Sequence, residues 1–181
     1  MSDSISVTPG SGVSVATKRI NGVDHQRVIT HSERKRILVS PAISTLEYST
    51  GFSLGLPVTF ADAFRNVGIG GVIEEVSIFS KSITIDELEV IFYTEDLVDP
   101  GLDHVLFSPS LEDLIKVQGT VKLSASDFSS FDDKITGFKS TNIPIMGNSS
   151  LKDLKAKIIA RKTFTPSSID DIQIGVKIRM D

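Results

Sequence analysis

The stretch "IQIGVKIRM" (Ile172–Met180) constrains the fold most strongly. Ile172, Ile174, Val176, Ile178 and Met180 share one parity, while Gln173, Lys177 and Arg179 share the other. A period of two belongs to a strand with one buried and one wet face. "DLKAKIIARKTF" repeats the pattern, with Leu154, Ala156 and Ile158 inward and the lysines outward. The polar link "TPSSID" joins the two segments, so the expectation is an antiparallel pair at the C-terminus. "GVIEEVSIFSKSITIDELEVIFYTED" supplies two more strands, joined by a short turn or bulge over 81–86. Apolar residues on both parities over 91–93 predict cover on both faces there. "RILVSPAI", "LPVTFA", "VQGTVKLSA" and "NIPIMG" read as further strands, and Gly119 marks a bulge.

Helical periodicity is scarce. "SPSLEDLIKV" fits one or two turns: Ser110 can cap, Asp113 stands three residues on, and Leu111, Leu114 and Ile115 share a face. "FADAFRNV" reads as a second short helical turn, and residues 96–103 and 124–140 as long polar links. About eight strands thus fall within residues 36–181. The predicted fold is all-β, an antiparallel β-sandwich of jelly-roll type, preceded by an N-terminal arm over residues 1–35.

That arm opens with "VTPGSGVSVATKRINGVDHQRV". Pro9-Gly10-Ser11-Gly12 suits a tight turn, and Asn21-Gly22 is a strong type I′ hairpin signal. "SVATKRI" and "VDHQRVI" are therefore expected to pair. A two-stranded hairpin is marginal alone in water and needs a surface to lie on. That surface belongs either to its own domain or to a neighbouring subunit, as with strand-exchanging arms. The candidate partner-binding residues are Val7, Val13, Val15, Ile20, His25, Arg27, Val28, Ile29, Arg34, Lys35 and Arg36. The basic run Arg34-Lys35-Arg36 is either a contact for an acidic partner or a solvated boundary.

Composition excludes several function classes. With no cysteine there is no disulfide, thiolate metal site or cysteine nucleophile. The net charge of −4 argues against general nucleic-acid binding. No apolar run approaches the ~18 residues of a spanning helix, and the first residues lack a signal-peptide pattern. The expectation is a product made in the cytoplasm, with no membrane partner. His25 and His31 would sit ~20 Å apart along a strand, too far for one metal. Asp96, Asp99, Asp103 and His104 form an acidic loop that can be read as a hard-cation site, but it lacks EF-hand spacing. A solvated loop stiffened by Pro100 and Gly101 is the simpler reading. "GIGG" at 68–71 lacks the Lys-Ser/Thr of a phosphate cradle and reads as a sharp strand entry. No Gly-x-Ser-x-Gly elbow occurs, and Asp132-Asp133 and Asp170-Asp171 are neighbours that face opposite ways on a strand. No catalytic, metal or cofactor residue is therefore assigned. With no Trp and two Tyr, the chain is poor in aromatic sugar platforms.

The leader resembles one found on tailed-phage virion proteins, through Pro9, Gly10, Gly12, Val15, Ala16, Thr17, Gly22, Val23, Gln26, Arg27 and Val28. Asp24-His25 departs from that pattern, which often pairs His with an aromatic. The downstream "GGVIEEVSIFSKS", "ELEVIFYTED" and "FSPSLEDLIKVQGTVKLSASDF" are similar to segments of small phage structural proteins. The resemblance implies a virion component of the capsid decoration (cement) type. Its implied place is the capsid surface, its partners the major capsid protein and copies of itself, expected as a trimer. The alternative is a tail- or fibre-associated sandwich that recognises a host surface glycan. Exposed tyrosines or a calcium ion at residues 96–103 would favour that alternative.

Overall fold

The structure, a computed structural model, describes residues 14–20, 23–29, 33–81, 85 and 87–180, with backbone alone for the first two stretches. The chain divides into two units, residues 1–33 and 34–181. In the first, β1 (Ser14–Ile20) and β2 (Val23–Ile29) pair antiparallel, with Ile20 opposite Val23 and Ser14 opposite Ile29. The expected hairpin is present. Val7, Val13, His31, the Pro-Gly turn and Asn21-Gly22 lie outside the described residues.

The second unit contains β3 (Arg34–Val39), β4 (Ser53–Phe60), β5 (Gly71–Ser80), β6 (Leu88–Tyr93), helix α1 (Leu111–Lys116) and β7 (Val117–Leu123). It continues with β8 (Phe128–Phe131), β9 (Lys134–Ile145), β10 (Leu154–Ala160) and β11 (Ile172–Met180). One sheet runs β3-β11-β5-β9-β8 and the other β4-β10-β6-β7. The pairings nest. β6 pairs β7, β5 pairs β9, β4 pairs β10 and β3 pairs β11, all antiparallel. A long hairpin folded over on itself in this way is a jelly roll, so the all-β sandwich expected from the alternation is the observed fold.

Four local expectations change. β10 and β11 do not form a C-terminal pair: β10 lies between β4 and β6, and β11 between β3 and β5. Their connection crosses from one sheet to the other. Asp171 anchors that crossing by accepting the N–H groups of Lys81 and Ser167 and the Ser80 hydroxyl. Residues 124–140 are not a link. They hold a short 3-10 turn, in which Asp127 accepts the Ser124 N–H, and then the β8–β9 hairpin, which turns at Asp132 with φ +56°. "FADAFRNV" forms turns rather than a helix. "NIPIMG" is the end of the twelve-residue β9 and not a separate strand.

The β6–β7 pairing shifts register between Phe92 and Tyr93, opposite Gly119 and Val117, which is the expected bulge. Most of the connection after Ser80 lies outside the described residues. Among those described, no helix is long and apolar enough to cross a membrane.

The core lies between the sheets. Ile73, Val76, Ile78, Ile174 and Val176 face Leu54, Val90, Phe92, Ala156 and Ile158, all buried. At one end the entry to β5 presses against the exit of β9. A Cβ on Gly70 would sit 1.8 Å from the Ile145 carbonyl oxygen, and one on Gly147 would sit 2.3 Å from that of Ile69. "GIGG" is therefore a place of backbone-to-backbone approach. We expect Gly70→Ala to destabilise the unit by about 1–3 kcal/mol through overpacking. Gly68→Ala meets nothing nearby and carries only the cost of its φ of +74°, about 1 kcal/mol. Urea titrations of the two variants give the comparison, and equal losses would contradict the backbone clash.

Candidate interaction site on the β6–β7 connection

The central strands of the four-stranded sheet, β6 and β10, are covered on both faces, while the edge strands β4 and β7 keep exposed residues such as Leu56, Thr59, Thr120 and Lys122. Ile91, Tyr93, Lys157 and Ile159 point away from the main core yet are at most 8% exposed. They lie beneath the connection between β6 and β7, whose Leu97 is buried with them. Cover on both faces over 91–93 matches the sequence reading. The outward lysines of β10 do not. Lys155 is largely covered and pairs with Asp96 at 2.5 Å, and Lys157 is wholly buried.

Lys157 is seated by a break in β4. The register jumps from Ala156–Val58 to Ile158–Leu54, so three residues of β4 stand against Lys157 alone. Gly55, at φ +69°, turns its carbonyl inward, and a Cβ there would lie 2.6 Å from the Ala42 oxygen. The Lys157 ammonium donates to the carbonyls of Gly55 at 2.7 Å and Gly101 at 2.8 Å. Burial pulls its pKa down to about 8, against the opposing pull of Asp103 and Asp99. Asp103 in turn accepts the Tyr48 hydroxyl at 2.5 Å and the Gly55 N–H at 2.6 Å. Burial first, then the Asp103 hydrogen bond, raises the Tyr48 pKa well above the usual phenol range. His104 Nε2 meets the Glu47 carbonyl at 2.8 Å, and its ring packs edge-on to Tyr48.

The acidic loop is thus an internal clamp on a lysine. Among the described residues, no cluster of His, Asp and Glu is placed to hold a metal ion. Both tyrosines are buried, Tyr48 completely and Tyr93 to 1% exposure.

Helix α1 is oriented against its own pattern. Ser110 caps it, accepting the Asp113 N–H at 3.1 Å as the sequence suggests. Yet Asp113 is the buried residue, and Leu111, Leu114 and Ile115 face outward at 76%, 52% and 76% exposure. Asp113 accepts the N–H groups of Val98 at 2.6 Å and Asp99 at 3.0 Å. Burial works against its charge, but these donors with Ser110 and Lys116 hold its pKa below the usual carboxylate range. Val98, Leu102 and Leu106 add to the outward surface, each more than half exposed. The sequence reveals Leu111, Leu114 and Ile115 as one helix face but not the direction it points, and residues 96–103 read as a polar link, which hides Val98 and Leu102. The available signal was aliphatic residues recurring in a stretch with no strand period.

The sequence-derived partner residues fall in two places. Val15, Ile20, His25, Arg27, Val28 and Ile29 lie on β1 and β2 in the first unit. Arg34, Lys35 and Arg36 lie on β3 in the second. Arg34 donates to Glu74 at 2.9 Å, Arg36 pairs with Glu75, and Lys35 reaches the Asp62 carbonyl at 2.8 Å. Glu74 sits at a register break in β5 and also meets Arg179 at 3.5 Å. Arg34 and Arg36 are thus paired with carboxylates of their own sheet, while Lys35 reaches a backbone carbonyl outside it.

No family model matches the chain, and no curated protein sequence does. Among solved structures it is similar to infectious bursal disease virus, Gt strain, at 14% identity and a TM-score of 0.33. That match covers 96% of this chain and 42% of the other. The Gx strain of the same virus gives 13% identity and 0.32, covering 90% and 37%. The VP2 subviral particle of that virus gives 11% and 0.29, covering 91% and 42%. The chain spans less than half the length of the chains it matches. Overlaps this slight fix no role for it.

Lys157→Met should destabilise the second unit, because it strands the Gly55 and Gly101 carbonyls at about 1–3 kcal/mol each. The variant also changes the pH dependence. Between about pH 8 and the free-lysine value of ~10.4, the unfolded chain holds a proton that the folded chain has released. Wild-type stability should therefore gain an upward contribution across that window, which Lys157→Met lacks. Urea titrations at pH 7, 8, 9 and 10 measure the difference, and parallel profiles would contradict the seating described.

Proposed function

We propose that the chain is a non-enzymatic virion structural protein that binds and stabilises a phage capsid shell as a decoration protein. In this reading it works as a homotrimer on the major capsid protein, at the capsid surface, after synthesis in the host cytoplasm. It engages neither nucleic acid nor membrane. One observation carries the reading: α1 buries Asp113 and turns its leucines and isoleucine outward. That arrangement suits association and not chemistry on a small molecule. The jelly roll adds an analogy, since viral capsid domains commonly use it. The leader's resemblance to those of tailed-phage virion proteins supplies the source, and its hairpin is taken to lie on a neighbouring subunit.

Lectin domains use the jelly roll as well, which sustains the alternative of a glycan-recognising tail or fibre module. The burial of Tyr48 and Tyr93, in a chain without tryptophan, leaves that reading without its usual sugar platforms.

The test is co-sedimentation with purified particles. The full chain should pellet with shells, and a chain lacking residues 1–33 should keep a cooperative melt but stay in the supernatant. Labelling at the tail tip, or saturable binding on a glycan array, would replace the shell reading with the alternative.

A further inference from the structure

We propose that the outward surface of the β6–β7 connection is the seat for the β1–β2 hairpin of a second copy of this chain. This rests on the reading above, in which the leader is buried on a neighbouring subunit, and it identifies that neighbour.

The seat is defined first by what it exposes. Val98, Leu102, Leu106, Leu111, Leu114 and Ile115 are each more than half exposed within one stretch of eighteen residues, 98–115. Charge then selects the occupant. Residues 94–115 contain six carboxylates and no Lys or Arg. Asp113 and Asp103 are turned to internal donors, while Glu95, Asp96, Asp99 and Glu112 are exposed in the same stretch, Asp96 beside Lys155 and Glu112 beside Lys116. The nearby Lys116 and Lys155 are themselves largely covered, at 18% and 14%, and reach only part of this rim. Two such surfaces meeting face to face would bring like charges together, which is unfavourable. The occupant must be apolar and cationic.

The hairpin has that character on one of its two faces. Its register places Ala16, Ile20, Val23 and Ile29 on the same side as Lys18 and Arg27, with no carboxylate among the described positions of that side. The other side sets Arg19 opposite Asp24. The carboxylate-free side complements the acid-rimmed surface in both polarity and charge. Two different patches on identical chains make a head-to-tail contact, which closes into a ring such as a trimer when the rotation permits.

The absence of native cysteine makes the contact directly readable. Full-length Ile20→Cys and Leu114→Cys chains, mixed and mildly oxidised, should yield a covalent heterodimer on a non-reducing gel. Its yield should fall several-fold at 1 M salt, where screening shortens to about 3 Å. Phe131→Cys, exposed on the other sheet, replaces Leu114→Cys as the control and should give little product. Equal product from the control, or none from either mixture, overturns the seat. A chain carrying both Ile20→Cys and Leu114→Cys that closes only onto itself overturns it as well.

Light scattering gives a second readout. Leu111→Glu/Ile115→Glu changes only exposed side chains, so it should melt as wild type does while losing association. Lys18→Glu/Arg27→Glu should lose association too. Undiminished association of either variant overturns the seat. The shell reading stands or falls separately, on co-sedimentation of the full chain with particles.

Discussion

The two central strands of the four-stranded sheet, β6 and β10, are covered on both faces, and the polar architecture around Lys157 follows from that constraint. One face meets the main core, and the other is roofed by the β6–β7 connection. A roof of irregular chain brings backbone carbonyls and N–H groups that cannot pair in a ladder, and each must find a partner. Lys157 supplies donors to Gly101 of the roof and Gly55 of the sheet edge. Asp103 supplies acceptors to Gly55 and Tyr48, and Asp113 serves Val98 and Asp99. These three ionised groups act as internal caps for a connection too long to be self-satisfying.

The same constraint accounts for the outward aliphatic residues. With Asp113 directed at internal N–H groups, α1 presents Leu111, Leu114 and Ile115 to solvent, together with Glu112. The helix is tethered by Asp113 rather than by an apolar stripe. Its amphipathic pattern is inverted relative to a helix whose only task is to pack on its own domain. On the opposite sheet the balance differs. The register break at Glu74 gathers Arg34 and Arg179 around one carboxylate and Arg36 pairs with Glu75, so the two arginines of β3 meet carboxylates of β5.

Period-two patterning made the strands legible, because a strand's parity is a property of its own residues. Ile172 to Met180 could be read without knowing any neighbour. Strand order could not. In a nested hairpin β10 and β11 are adjacent in sequence but pair with β4, β6, β3 and β5, and nothing local to "TPSSID" encodes that crossing. Lys157 was read as outward for a related reason. Parity distinguishes the two faces of a sheet but does not say whether the second is wet, and here a distant loop covers it. Ser110 as a cap was legible because capping is local, whereas the direction α1 faces depends on Val98 and Asp99, 15 and 14 residues from Asp113.

The energetics of the exposed surface point toward many weak contacts. Fully burying a Val, Leu or Ile side chain contributes about 1.5–3 kcal/mol, so completing the burial of six that are already partly covered gives a gross gain of roughly 6–12 kcal/mol. Association costs on the order of 4–15 kcal/mol in lost rigid-body freedom and ordering. A single contact of this size is therefore close to break-even. In the proposed arrangement, a subunit that both offers a hairpin and receives one makes two such contacts for one loss of freedom, and fixing it on a lattice raises the effective concentration of every further contact. The −4 net charge opposes random self-association while that surface is uncovered. Marginal pairwise strength with strong collective strength is what a protein needs if it is to stay dispersed before a shell exists and remain bound once it does.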